Sequence, residues 1–190
     1  VRRLGSHGGA TTPSEYETAQ TLRFCPQLVN RTGVVAWLLR RQHADGGWGD
    51  ADAPLYRIVP TLAATLALHE QGEGSAARRA CLAGLRYLAG QHDAIDPECG
   101  QFLPIAIELI LPRLLDEADC AGLHLPRTRF RHIEELNVRR RAVIAAHPPP
   151  PNGAPMFSWE AWGEEAAPEL VGATGGVGHS PAATAWWLRL

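Results

Sequence analysis

The sequence predicts an all-α protein of stacked helix pairs, arranged in the manner of an α/α-barrel. Three observations carry this. Apolar residues recur every three or four positions, as in Ile58, Leu62 and Leu66 with Val59 and Ala63 beside them. No segment shows the sustained alternation of a half-buried strand. The helical runs are punctuated by capping residues, glycines and prolines at short intervals. The first such corner is the most informative stretch of the chain. There the run Val34–Leu39 leads into Gln42-His43-Ala44-Asp45-Gly46-Gly47-Trp48-Gly49-Asp50, and a second apolar run follows from Ile58 to Leu68.

In chain order, residues 1–12 are rich in glycine and expected to be flexible. Pro13 to Glu17 suits a helix start, with Thr12 as cap, Pro13 in the first turn and acids at the positive end of the dipole. That helix must stop before Pro26. Asn30 or Thr32 caps the next, which runs to about Arg41 and the Asp45-Gly46-Gly47 turn. A helix from Arg57 ends at Gln71-Gly72, a glycine cap. The next, from Ser75 to about Gln91, places Cys81, Leu82, Leu85 and Leu88 inward. A polar loop follows, His92 to Gly100. The most apolar helix then spans Phe102 to Cys120, with Pro112 expected to kink or break it. Thr128 starts a helix that carries Arg139-Arg140-Arg141 and ends at His147 and four prolines. Phe157 to Trp162 is expected to begin a short helix, and Ser180 to cap a final one from Ala182 to Leu190. The apolar end Trp186-Trp187-Leu188-Arg189-Leu190 implies that the chain continues or that this end docks on a partner.

Composition bounds the function. The chain has 190 residues, 45% of them hydrophobic and 20% charged, which suits one domain or one domain plus part of a second. A formal net charge of -2 gives no basic face for nucleic acid. All 18 basic residues are Arg, so any phosphate contact must come from Arg, a His or backbone N–H groups. Cys25, Cys81, Cys99 and Cys120 lie far apart and read as reduced thiols. No apolar stretch reaches the length of a membrane span, and residues 1–12 hold no signal core, so the expected location is cytoplasmic.

Four landmarks give a resemblance. Gln42 to Asp50 resembles the QW motif, Q-x-x-D-G-x-W, of the α-barrel cyclases of squalene–hopene type. Ser14-Glu15-Tyr16-Glu17-Thr18-Ala19 is similar to the S-x-Y-D-T-A opening of class II diterpene cyclases, the enzymes that make copalyl-type diphosphates. Leu103 to Leu109 is similar to their P-x-G-F-E helix, with Ala106-Ile107 in place of Gly-Phe. Gly175 to Ala185 resembles their D-G-S-x-x-x-S-P-S-x-T-A. The resemblance implies a terpene cyclase γ domain: residues 13–29 as the first helix of a β-type domain and 30–190 as the γ domain. The acid of such enzymes, D-x-D-D, is absent from this chain, and a β domain or β subunit would supply it. Asp50-Ala51-Asp52-Ala53 lacks the fourth acid and is not the catalytic group, so no catalytic residue is assigned here.

The remaining roles follow from the same likeness. Asp93, Asp96 and Glu98 form a cluster of oxygen ligands suited to Mg²⁺, which would bridge to an isoprenoid diphosphate, geranylgeranyl diphosphate first. Taken alone, that cluster reads as a solvated loop. Arg139, Arg140 and Arg141, or Arg131, can give bidentate bonds to phosphate; a basic helix end is the bland alternative. Phe157 stands where the plant enzymes carry a proton-accepting His. With Trp159 and Trp162 it is expected to line an apolar substrate cavity and steady carbocations by its π face. Gln42 and Trp48 are read as structural, with Gln42 bonding helix-end groups and Asp45 as a cap. Glu108, in an apolar run, needs a partner, and Arg57 or Arg113 is expected. The resulting function is a γ subunit or domain that binds Mg²⁺ and diphosphate and acts with a β partner, possible as a heterodimer. The alternative is a non-catalytic helical binding module of the same fold. A zinc site, a P-loop and a class I D-D-x-x-D are all missing.

Overall fold

A computed structural model describes residues 13–91 and 103–190. The expected flexible N-terminus (1–12), the start of the long apolar helix at Phe102, and the ligand candidates Asp93, Asp96 and Glu98 lie outside the described residues. Within them there are seven α-helices and no strand beyond one isolated bridge, Val171 with Val177.

Helix α1 (Glu15–Phe24) is capped by Ser14, whose Oγ accepts from the Glu17 N–H at 3.4 Å. The cap therefore falls two residues later than Thr12, and Pro13 stays outside the helix. The helix ends at Phe24, ahead of Pro26, where the residue before proline is driven out of the helical region. Helix α2 (Arg31–Arg41) uses Asn30 as its cap, Oδ1 accepting from Gly33 N at 3.1 Å.

Helix α3 (Ile58–Gln71) is the centre of the molecule. Ile58, Leu62 and Leu66 have no exposed surface, and Thr61, Ala63, Ala64 and Thr65 share that state. A helix apolar on every side must be surrounded, and α1 and helix α4 (Gly74–Gly90) pack most heavily against it. On α4 the buried face is Ala77, Ala80, Cys81, Gly84, Tyr87 and Leu88. Leu82 was expected on that face but is 48% exposed. It follows Cys81 by a single residue, a 100° step that carries it off the buried stripe.

Helix α5 (Ile107–Cys120) begins from Ala106, which takes a left-handed conformation at φ 56°. Pro112 does not break it. A proline removes the donor for the carbonyl four residues back, here that of Glu108, and the Asn137 side chain replaces it, Nδ2 donating to Glu108 O at 2.6 Å. Asn137 lies on helix α6 (Arg131–Ala146), which packs on α5 and is entered through a 3₁₀ turn, Arg127–Phe130.

A 3₁₀ segment, Ala154–Ala161, and helix α7 (Pro181–Arg189) complete the described chain. Ser180 caps α7 by accepting from Ala183 N at 3.1 Å. Glu17 of α1 also sits at this helix start, accepting from Ala182 N at 2.6 Å and from Ser180 Oγ at 3.2 Å. A carboxylate there is favoured by the helix dipole, and it fixes α7 against α1. Among the described residues Cys25 and Cys81 are buried free thiols and Cys120 an exposed one. No helix among them is long and apolar enough to cross a membrane.

A candidate site of two adjoining clefts

The turn after α2 is held by the residues that mark it in the sequence. Gln42 Nε2 donates to Gly46 O and to Ala80 O of α4, both at 2.9 Å. Trp48 is fully buried, and its Nε1 donates to Leu38 O of α2 at 2.8 Å. The indole, not Gln42, thus satisfies the helix-end carbonyl. Gly46, at φ 93°, approaches the Ala83 carbonyl so closely that a side chain would collide with it. Asp45 does more than cap the turn. It accepts from Gly47 N at 3.0 Å and binds Arg57 with two bonds of 2.8 Å. The bonds from Arg57 hold the Asp45 carboxyl down to about 2. Arg57 is itself buried and stacks on Tyr87, 4.6 Å from the ring centre.

This rigid corner, α5 and α6 frame two clefts that share Pro104 and Ile105 as a common rim. The first, about 490 Å³, has an apolar floor of Leu103, Leu136 and Val143 and is edged by Arg139 and Arg140. The second, about 340 Å³, is lined by Tyr16, Tyr56 and Phe157 over Val59, Ile107 and Ile110. Asp50 lies at its edge, its Oδ1 occupied by the Asp52 N–H at 3.1 Å.

The three consecutive arginines do not all face one way: Arg139 and Arg140 edge the first cleft and Arg141 does not, since successive helical residues point 100° apart. Arg140 Nε is bound to Glu108 Oε1 at 2.9 Å. Arg141 turns the other way, to Ala161 O at 3.4 Å and Glu164 at 3.6 Å. Arg139 reaches the first cleft, and among the described residues it has no carboxylate within ion-pair distance. Arg131 is exposed at the start of α6 and does not line that cleft. The expected partners of Glu108 are corrected by the same geometry: Arg57 belongs to Asp45, and Arg113 binds Glu117 at 2.7 Å.

The aromatic residues also divide. Phe157 lines the second cleft. Trp159, expected to line a cavity, is 3% exposed and packs with Met156 and Val177 in a separate cluster. Trp162 leans on that cluster and donates from Nε1 to Pro155 O at 3.3 Å. Neither indole is among the residues that line the two clefts. The 3₁₀ kink at Ser158 separates Phe157 from Trp159, so the three rings do not share a face.

Sequence reasoning passed over the most unusual group. Glu160 is 2% exposed, and the Tyr16 hydroxyl donates to its Oε1 at 2.6 Å. Its Oε2 is buried with no partner among the described residues. Burial pushes this carboxyl up to about 8, against the Tyr16 hydrogen bond and with Glu17 and Glu117 adding like charge. Burial, then the neighbouring Glu160, raises the Tyr16 hydroxyl well above its ordinary value. The signal was a carboxylate between two tryptophans, Trp159-Glu160-Ala161-Trp162, which cannot be buried without a partner.

Among the described residues no group of three or more His, Cys, Asp or Glu could hold a metal ion. The three carboxylates of Asp93, Asp96 and Glu98 are hard oxygen donors, the set that Mg²⁺ prefers.

Comparison with known proteins fixes the class. The fold is that of the helical terpene cyclases: abietadiene synthase from Abies grandis superposes with a TM-score of 0.80 at 24% identity, over 99% of this chain and 26% of that one. The ent-copalyl diphosphate synthase of Arabidopsis thaliana gives 0.79 at 22% identity, over 94% of this chain and 27% of that one. In sequence, (+)-kolavenyl diphosphate synthase from Herpetosiphon aurantiacus is 38% identical over 99% of this chain and 39% of its own length. An ent-copalyl diphosphate synthase from a Streptomyces strain is 33% identical over 95% of the chain and 36% of its length. No protein-family model matches. The chain belongs to the class II diterpene cyclase family, of copalyl diphosphate synthase type, and it spans about two fifths of the length of the relative from Herpetosiphon.

Proposed function

We propose that this chain is the γ part of a class II diterpene cyclase that holds an isoprenoid diphosphate, geranylgeranyl diphosphate first, while a β domain or subunit carrying D-x-D-D protonates it. The observation that carries the reading is the pair of clefts sharing Pro104 and Ile105. One presents a guanidinium over an apolar floor, the other presents aromatic rings. That is the polarity of a prenyl diphosphate, charged at one end and hydrocarbon along the rest.

In this reading Arg139 binds a diphosphate oxygen, and Arg140 is oriented by Glu108 at the same rim. Asp93, Asp96 and Glu98 would hold Mg²⁺; Glu98 is five residues before Leu103 in the chain, which lines the Arg-edged cleft. The ion would neutralise the diphosphate and keep it attached through the reaction. The faces of Phe157 and the two tyrosines would stabilise positive charge moving along the substrate. The protonating acid, kept neutral by its own surroundings, comes from the partner. Alone, the chain binds substrate weakly and cyclises nothing.

Calorimetric titration with geranylgeranyl diphosphate and Mg²⁺ tests the anchoring. Arg139→Ala removes a charge-assisted bond worth about 1.5–3 kcal/mol, so affinity drops by about tenfold or more. Equal affinity in the variant would overturn the assignment. A non-catalytic helical module is the second reading, favoured by the capture of Arg140 and Arg141 in ion pairs. It predicts no diphosphate affinity at all.

A further inference from the structure

We propose that Tyr16 and Glu160 are the proton acceptor that ends the cyclisation, Tyr16 taking the proton from the last carbocation and Glu160 taking Tyr16's own. The inference rests on the cyclase reading above. Three features of the structure lead to it.

The first is position. Tyr16 lines the aromatic cleft together with Phe157, and its hydroxyl is 2.6 Å from Glu160 Oε1. Phe157 can face a cation but has no atom able to accept a proton. Tyr16, one wall of that cleft, is hydrogen-bonded to Glu160, which follows Phe157 by three residues across the Ser158 kink.

The second is that Glu160 is poorly explained as structure. It is 2% exposed, faces no cation in ion-pair range among the described residues, and leaves Oε2 without a partner. A buried carboxyl in that state costs stability. Groups that carry such a cost cluster at sites of chemistry.

The third is charge. The titratable groups that face Glu160 are Tyr16 and Glu17 from α1 and Glu117 from α5. Arg141 touches the neighbouring Ala161 carbonyl, but its guanidinium is paired with Glu164. Glu117 is paired with Arg23 at 2.8 Å and with Arg113 at 2.7 Å. Of these neighbours Glu17, which meets no arginine in ion-pair range among the described residues, is therefore the carboxylate left to favour a nearby cation.

The step balances without a further reagent. The C–H bond beside the cationic carbon breaks, and its electron pair becomes the π bond of an alkene. The proton joins the Tyr16 oxygen while the Tyr16 O–H proton passes to the Glu160 carboxylate. Glu160 is left as a neutral acid and returns its proton to solvent after product leaves. Because burial pushes Glu160 up to about 8, the accepting form becomes abundant as pH rises through that value.

The test uses the assembled cyclase, this chain with its D-x-D-D-bearing part, given geranylgeranyl diphosphate and Mg²⁺, with products analysed by mass spectrometry after dephosphorylation. The wild type gives an alkene, and the rate of its formation rises with pH through about 8. Glu160→Gln abolishes that rise. Glu160→Gln and Tyr16→Phe each slow alkene formation by about a hundredfold and divert the cation to water, giving an alcohol. Glu160→Asp restores part of the alkene. Tyr16→Phe carries the test alone if Glu160→Gln does not fold. Wild-type alkene rate and pH profile in a folded variant would overturn the proposal while leaving the cyclase reading intact. No product from the wild type would refute the cyclase reading itself, and this assignment with it.

Discussion

Glu160→Gln makes the pH dependence of stability a direct test of the buried acid. The carboxyl is 2% exposed and is held at about 8, against an ordinary value of 4.5. Between those two values the unfolded chain carries the charge and the folded chain must keep the proton. A group raised in this way contributes stability that is complete below 4.5 and lost progressively as pH rises to about 8. The loss runs at about 1.4 kcal/mol per pH unit, so by pH 7 it reaches roughly 3 kcal/mol, an order-of-magnitude figure. An amide does not titrate. It keeps an oxygen to accept from Tyr16, and its own NH₂ takes the place of the unpartnered Oε2. The absolute offset between the two proteins includes that NH₂, so the difference in slope is the quantity to read. Urea unfolding of both proteins from about pH 4.5 to 8 measures it. The wild type loses roughly 3 kcal/mol relative to Glu160→Gln by pH 7. Glu17, also raised by burial, contributes equally to both and cancels. Parallel stability curves would refute the reasoning and place Glu160 in contact with water.

Ala106→Gly relieves a left-handed residue at φ 56° and raises stability by about 0.5–1 kcal/mol after the added freedom of the unfolded chain is discounted, read from the urea midpoint. Asn137→Ala strips the Glu108 carbonyl of the donor that replaces the missing Pro112 amide and costs about 1 kcal/mol. Asp45→Ala leaves the buried Arg57 without its carboxylate and costs about 2 kcal/mol by the same assay. In the wild type the Asp45 contribution is present above its ordinary value of 3.8 and is lost as pH falls towards about 2. Because that carboxylate is half exposed, the loss stays under about 1 kcal/mol.

The elements were legible wherever local chemistry decides them. Asn30, Ser180 and the proline after α1 set helix ends by rules that need no tertiary context. Ala106 shows how far a motif can be read: alanine stands where the resembled motif has glycine, and its backbone here is left-handed, a conformation that favours glycine. What could not be read depends on partners distant in sequence. Glu108 was expected to pair with Arg57 or Arg113, and the packing of α6 on α5 gives it Arg140 instead. The run of three arginines looked like a phosphate site, but helical geometry leaves Arg139 and Arg140 at the cleft, ties Arg140 to Glu108 and sends Arg141 to Ala161. Trp159 and Trp162 were expected to line a cavity, but Trp159 packs in a small separate core and Trp162 leans on both that core and the main one. Tyr16 and Glu160 meet across 144 positions, a pairing no local pattern announces.

The most direct test of the account is a cyclisation assay with geranylgeranyl diphosphate and Mg²⁺, run on this chain alone and on its mixture with a folded protein carrying D-x-D-D. The account predicts a bicyclic diphosphate from the mixture and none from the chain alone. No product from the mixture, with both proteins shown to be folded and associated, would contradict it.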